Sequence, residues 1–416
     1  MTLGGTTDGP LEASVLDRID AEAVAVLAAD LIRAAGENPG GTEEATATQL
    51  AFALRAIGAE VTLDDVAPGR PNLVARLGGD GRTEGGVLFL GHSDVVPAGE
   101  GWTSDPFEPR RDGDALVGRG STDMKGGLAA VVAAMAAVHA EAPDIAMTLV
   151  CTVDEEADAT GARRYCETAE RERFAACIVA EPTGLVTITG CRGAANLRID
   201  VEGASAHAGK PDEGASAIVA ASEVIAAVEA DRARLAGEPH AVLGAATWNV
   251  GTVEGGHGTS IVPDRCTLSI DRRTLPGEDP HAILDDLVAE TRRRISFANR
   301  PGTDRITVTG TVEMIMPGFV TDPDSPLVHG VRDAVADAGG AGDQGIWTAA
   351  CEGGFLAEHH GVPTVVLGAG DITTQAHQPD ERVSVTELHT AARAYALIAL
   401  RSAQRVERLE ETTTTL

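Results

Sequence analysis

The chain has 416 residues, 43% hydrophobic and 23% charged, enough apolar material for a sizeable core and more than one average domain. A formal net charge of −30, with Lys125 and Lys210 as the only lysines, argues against the clustered basic surface that binding nucleic acid requires. Six cysteines without a Cys-x-x-Cys pair, an N-terminus lacking a basic start and apolar run, and no apolar stretch long enough to span a bilayer predict a cytoplasmic protein that neither enters a membrane nor relies on disulfides.

In chain order, apolar and charged residues recur at helical spacing over 14–35, and a second helix is expected over 43–58. Residues 60–63 and 72–77 read as strands. Val87-Leu88-Phe89-Leu90, bounded by Gly86 and Gly91, reads as a strand buried on both faces. A polar loop to about residue 120 leads to a helix over 124–140, then a buried strand over 146–153, a helix over 160–173 and a strand over 177–180. Strand alternating with helix predicts an α/β sheet. Near residue 191 the pattern changes. Strands at 194–201, 246–253, 264–271 and 304–312, with helices at 214–229 and 280–294, follow the order strand-helix-strand-strand-helix-strand of a ferredoxin-like α+β unit. The α/β pattern then resumes with a helix at 325–338, a strand at 364–367 and a helix at 385–403, and the polar tail after Arg405 is expected to fray. The predicted organisation is an α/β domain with a mostly parallel sheet in two parts, 1–191 and 313–416, interrupted by an insert over 192–312.

Five clusters carry chemistry. Gly91-His92-Ser93-Asp94 follows a buried strand, where open α/β sheets place ligands. His92 and Asp94 face the same way if the chain stays extended, so Asp94 can hold the second ring nitrogen of a metal-binding His92. Asp123 stands in the glycine-rich run Gly118–Gly127 at the start of a helix. Asp154-Glu155-Glu156 ends the next buried strand, and adjacent carboxylates there repel unless a cation balances them. Glu181-Pro182-Thr183 ends the strand after that. Gln375-Ala376-His377-Gln378-Pro379-Asp380-Glu381 follows the strand at 364–367. Histidines and carboxylates gathered at successive strand ends are how a catalytic metal is held, and two metals sharing one carboxylate form a clamp on water.

With these motifs, Gly-His-Ser-Asp-Val-Val-Pro, Gly-Arg-Gly-Ser-Thr-Asp-Met-Lys-Gly-Gly and Asp-Glu-Glu, the chain resembles the di-zinc peptidase family of acetylornithine deacetylase, succinyl-diaminopimelate desuccinylase, aminoacylase-1 and carboxypeptidase G, over about residues 20–405. The resemblance implies two Zn2+ ions per subunit, replaceable by Co2+. His92 and Glu181 would hold one, Glu156 and His377 the other, and Asp123 would bridge them. It implies Asp94 as the residue that orients His92 and Glu155 as the general acid/base. It implies a cis peptide between Asp123 and Met124, and a homodimer through the inserted lid. His207, in Gly203-Ala204-Ser205-Ala206-His207-Ala208-Gly209, would help hold the oxyanion in the partner subunit's site. Arg273 fits the substrate-carboxylate position better than Arg272, and Ser260 stands where many members carry Asn.

The segments Ala350-Cys351-Glu352-Gly353-Gly354-Phe355 and Leu367–Glu381 look most like acetylornithine deacetylase. That makes Glu352 and Gly353 candidate substrate contacts, with Glu352 facing a substrate ammonium. Gly354 stands where desuccinylases carry Arg. The expectation is an amidohydrolase acting on an N-acyl amino acid or a dipeptide-like substrate. Aminoacylase, dipeptidase/carboxypeptidase and desuccinylase activities remain alternatives, as does a non-catalytic dimer that binds metal or ligand on the same scaffold.

Overall fold

The computed structural model describes residues 9–79, 85–169 and 172–414, with side chains described as far as Ala403. The chain divides into two compact units. The first comprises residues 1–190, 320–346 and 352–416, and the second comprises 191–319 with 347–351.

The first unit is built on a mixed sheet whose centre is parallel. Strand Val87–His92 lies between Met147–Thr152 and Ala176–Val179, parallel to both, and Thr364–Val366 runs parallel to Ala176–Val179. Each of these strands is buried along its whole length, which is why each reads as a continuous apolar run rather than an alternation. Arg70–Leu77 and Glu60–Ala67 extend one side antiparallel, and Thr187–Cys191, Phe319–Val320 and Gln344–Trp347 complete the other. Those last three strands lie outside the sequence expectations, as do three short flanking strands. Within the expected polar loop, Arg110–Asp112 and Ala115–Val117 pair with each other, and Arg382–Ser384 adds to the second.

Helix Gly126–Glu141 is apolar on nearly every face and sits in the main core with the helix that begins at Val385. The single N-terminal helix expected over 14–35 is two, Gly9–Asp17 and Ala21–Arg33. Asp20 divides them, because its carboxylate accepts the backbone N–H of Glu22 as an N-cap. The final helix extends past Arg405 to Thr414; the side chains of that tail lie outside the described residues.

The second unit is a four-stranded antiparallel sheet in the order Thr247–Gly255, Arg265–Thr274, Gly193–Glu202, Thr307–Met316. Strand Arg265–Thr274 alternates between buried and less buried residues, as expected for a sheet with one covered face. Helices Ala217–Ala236 and Pro280–Ala298 share its apolar core with Leu197, Ile199, Leu268 and Ile270. Among the described residues, no helix is long and apolar enough to cross a membrane.

Candidate metal centre

The parallel strands of the first unit end together, and their last residues carry the polar chemistry. His92 closes its strand with a side chain only 1% exposed. Its Nδ1 lies 3.1 Å from the Asp94 carbonyl oxygen and 3.5 Å from an Asp94 carboxylate oxygen. Its Nε2 lies 3.1 Å from Asp123 and 3.3 Å from Glu181, which follows the neighbouring strand. The other oxygen of Asp123 lies 3.3 Å from His377 Nε2, and Glu156 lies 3.1 Å from the same nitrogen. One carboxylate thus stands between two imidazoles, each with a carboxylate of its own. His92, Asp123 and Glu181 bring ligand atoms within 4.8 Å of one another, and so do Asp123, Glu156 and His377. A third such group, His92 with Glu155 and Glu156, places Glu155 against the same centre.

Local sequence explains how these side chains are delivered. Asp123 lies in the turn Ser121–Lys125 with extended φ/ψ, and the peptide to Met124 is cis. Gly127 opens the following helix against the end of strand Ala176–Val179, where a Cβ would stand 2.3 Å from the Ala180 carbonyl oxygen. Only glycine permits that approach. After strand Met147–Thr152 the chain turns sharply at Asp154, whose φ of 68° is left-handed. Glu155 and Glu156 therefore do not alternate as strand residues would.

Asp94 secures this turn, accepting the backbone N–H groups of Glu155 at 3.2 Å and Glu156 at 3.1 Å. Behind it, the Asn38 amide donates to both Asp94 and Asp154 at 2.9 Å, and Arg70 pairs with Asp154 and with buried Glu43. Lys125 is fully buried, and its ammonium donates to the carbonyls of Leu31 and Ala35 and to Thr46. It thereby satisfies carbonyls that the end of helix Ala21–Arg33 leaves open.

Without a cation the cluster is electrostatically overloaded. Burial pushes Glu181 up to about 7, with Asp123 adding to the rise. Burial and then Asp123 also raise Glu156. Burial raises Glu155 well above the carboxylate range, helped by Glu181, Glu156 and Glu352. The carboxylates of Asp123 and Glu156 hold His377 up to about 10. At His92 burial pulls the other way, but Asp123, Asp94 and Glu181 outweigh it. The Oε1 of Glu156 is buried without a hydrogen-bond partner. Oxygen and imidazole donors, an orphaned carboxylate oxygen and uncompensated negative charge fit a divalent metal.

Glu352 lies nearby in the electrostatics, raised to about 8 by burial, with one oxygen hydrogen-bonded to Thr152 and Oε1 buried without a partner. Gly353 follows it in a buried turn. His207, Ser260 and Arg273 belong to the second unit. There the His207 segment pairs with that of Ile261, and Ala208 N–H donates to the Ser260 carbonyl. The Nδ1 of exposed His207 accepts the Gly209 N–H. Alternation along strand Arg265–Thr274 separates the two arginines. Arg272 is buried over the Trp248 ring and paired with Glu278, whereas Arg273 is partly exposed beside Asp271.

The residues that sequence reasoning misses are those that hold the candidate ligands and their turns in place: Asn38, Arg70, Glu43 and Lys125, together with the structural part played by Glu381. Lys125 and Glu381 stand inside motifs already singled out, Gly118–Gly127 and Gln375–Glu381, but in neither motif does the pattern show what the side chain holds. Asn38, Arg70 and Glu43 carry no local signal, since the partners of Asn38 and Arg70 are at least 27 residues away in sequence, and Lys125 reaches back 94 residues to Leu31.

Residues 88–401 match the model of peptidase family M20/M25/M40. The acetylornithine deacetylase of Vibrio cholerae serotype O1 is 34% identical over 345 residues, spanning 82% of this chain and 86% of that protein. Among solved structures, a tripeptidase from Staphylococcus aureus superposes with a TM-score of 0.72 at 22% identity, over 93% of this chain and all of that one. A Bacillus subtilis protein described as a dinuclear metal-binding peptidase of the M20 family superposes with a TM-score of 0.66 at 16% identity, over 92% and 99%. At these identities the structural likenesses speak for the fold, and the sequence matches for the family.

Proposed function

The chain belongs to peptidase family M20/M25/M40, a metal-dependent amide hydrolase, and from that premise we propose that it removes the acyl group from an N-acyl amino acid in the manner of acetylornithine deacetylase. The observation that carries the reading is the Asp123 carboxylate set between His92 and His377, with Glu155 against the same centre. In this proposal the cations are two Zn2+ per subunit, replaceable by Co2+. His92, Asp123 and Glu181 hold one, and Asp123, Glu156 and His377 hold the other. When bound, such cations supply Lewis acidity that polarises the amide carbonyl and acidifies water.

The protein's own groups do the rest. Asp94 keeps the His92 ring oriented through Nδ1 and, by accepting two backbone N–H groups, keeps Glu155 and Glu156 on different tasks. Glu155 takes the proton from the attacking water on its carboxylate and returns it to the leaving amine nitrogen. His207, with Nδ1 occupied by the Gly209 N–H, has its Nε2–H to donate to the oxyanion of the partner subunit's site. Arg273 receives the substrate carboxylate, Ser260 and Gly353 line its backbone, and the unsatisfied oxygen of Glu352 receives an ammonium on the amino-acid side chain.

The protein is proposed to work as a cytoplasmic homodimer joined through the inserted unit. Exposed Ile218, Val219 and Ile225 on helix Ala217–Ala236, and Val253 on the edge strand Thr247–Gly255, are apolar residues that such a contact would cover.

The test is metal analysis combined with a hydrolysis screen of N-acetyl, N-succinyl, N-formyl and dipeptide substrates, with Zn2+ or Co2+ added. The expected result is hydrolysis of N-acetyl amino acids with a basic side chain ahead of the others. Metal uptake without hydrolysis of any of these substrates would overturn the catalytic reading and favour a binding protein.

A further inference from the structure

The centre contains one buried carboxylate that touches no candidate ligand side chain yet is bound to the chain that presents one. Glu381 is fully buried. Its Oε1 accepts the backbone N–H groups of Thr122 at 2.8 Å and Asp123 at 3.0 Å. Its Oε2 accepts the Gly120 N–H at 2.9 Å and the Arg119 guanidinium at 2.7 Å. Left-handed Gly120, with a φ of 83°, helps turn these N–H groups inward. Backbone N–H groups converging in this way make an anion-binding cradle, and here the anion is part of the chain. The neighbouring contacts close the same seam. Gly118 N–H donates to the Glu381 carbonyl at 2.9 Å, and the Thr122 hydroxyl donates to the Arg382 carbonyl at 2.6 Å.

We propose that Glu381 is the positioning residue of the metal centre: by filling the cradle at Gly120–Asp123 it fixes where the Asp123 carboxylate stands relative to His92 and His377. The inference rests on reading Asp123 as the shared ligand. Glu381 lies four residues after His377, so one carboxylate ties the segment carrying the shared ligand to the segment carrying the outer histidine. Asp380 adds a second tie on that segment, accepting the backbone N–H and hydroxyl of Thr103. The chemistry calls for a carboxylate in particular. Four donors converge on two oxygens, and a glutamine in the same place would aim its NH2 at two of those donors.

The experiment is a Co2+ titration of the metal-depleted full-length protein, followed by visible d–d absorption, in the wild type and in Glu381→Gln. Circular dichroism checks the fold. Wild-type protein should bind Co2+, and Glu381→Gln should fold but bind about ten- to a hundredfold more weakly, with an altered d–d spectrum. Glu381→Asp keeps the charge but is one methylene short, and is expected to show a smaller loss in the same direction. A wild type that binds with Glu381→Gln matching it in affinity and spectrum overturns this inference and leaves the metal reading intact. A wild type that binds no Co2+ overturns both. Failure of both variants to fold assigns Glu381 to the fold rather than to the metal centre, and also overturns the inference.

Discussion

The two halves of the candidate centre share Asp123 but are built differently. The His92–Asp123–Glu181 half lies at the ends of adjacent parallel strands, and its histidine side chain is 1% exposed. The Asp123–Glu156–His377 half is delivered by turns, at left-handed Asp154 and left-handed His377, and its histidine side chain is 50% exposed. Strand ends fix atoms to within the tolerance of a sheet, whereas turns depend on what ties them down. His92 and Glu181 are thus placed by strand ends, Glu156 by the Asp94 and Asn38 contacts at its turn, and the shared Asp123 by Glu381. The inner half is closed to solvent, and the outer half is open to it only at His377.

The sharpest way to break this comparison is to change Glu155, which touches both halves in geometry without being needed as a ligand by either. Glu155→Gln keeps the shape and removes the proton acceptor. Metal content should remain at the wild-type level while turnover falls by at least about 10²–10⁴-fold. If metal is lost along with activity, Glu155 is a ligand and the division between it and Glu156 is wrong. Undiminished hydrolysis of the best substrate would instead show that the proton passes elsewhere.

The next largest effect should separate the two histidines. His92→Ala removes a buried partner from Asp123 and Glu181, and leaving buried charge unpaired costs about 3–5 kcal/mol. His377→Ala leaves Asp123 and Glu156 without their shared imidazole, but at a half-exposed position where water can partly replace it, so its loss should be clearly smaller than that of His92→Ala. Urea denaturation of the metal-depleted proteins measures both. Equal losses would mean that the outer half is as much part of the folded core as the inner.

The same contrast explains what was legible in the sequence. His92, Glu181 and the Asp-Glu-Glu turn follow apolar runs directly, so their gathering at strand ends is legible from pattern, whereas their ligand roles come only from the family resemblance. The parallel centre of the sheet was visible because its strands are buried on both faces. The supports were not visible. Asn38 reaches Asp94 and Asp154 across 56 and 116 residues, and nothing in its own neighbourhood announces a carboxylate. The flanking strands Arg110–Asp112 and Arg382–Ser384 are three residues long and half exposed, too short to carry a period. The split of the first helix turned on one capping side chain, Asp20, in a stretch whose apolar spacing continues through it.

A smaller effect is expected at Asn38, and it tests whether the outer half depends on its ties. Asn38→Ala withdraws one donor each from buried Asp94 and Asp154. Asp154 retains Arg70 and the Thr160 hydroxyl, and Asp94 retains the two N–H groups of the Glu155–Glu156 turn. The cost should be about 1–3 kcal/mol in stability, the range for leaving a buried acceptor short of a donor. Activity should fall through kcat with little change in KM, because the variant disturbs the turn that carries Glu155 and not the substrate contacts. A change confined to KM would place Asn38 with the substrate instead.

The smallest signal, a proton count, reads the charge state of the two histidines directly. In the metal-free protein, Asp123 and Glu156 hold His377 up to about 10, and the carboxylates around His92 raise it well above its ordinary value. The His377 ring therefore carries its second proton at pH 8, and His92 is shifted in the same direction. A raised histidine pKa stabilises the metal-free fold fully below the ordinary value near 6.5, and that contribution is lost as pH rises through the folded value, here about 10 for His377. Metal ligation requires the neutral ring, so uptake must expel the second proton. Glu181, pushed up to about 7, is mostly ionised at pH 8 and adds little there, but contributes further release below pH 7. Calorimetric titration with Zn2+ at pH 8, in two buffers of different ionisation enthalpy, should report release of at least about one proton when both halves fill. The release should fall as the pH is raised past 10. His377→Ala should remove about one proton from the count at pH 8, since its ring carries one to expel. Uptake with no proton release at pH 8 would mean that His377 is not charged before the metal arrives, and that Asp123 and Glu156 are balanced some other way.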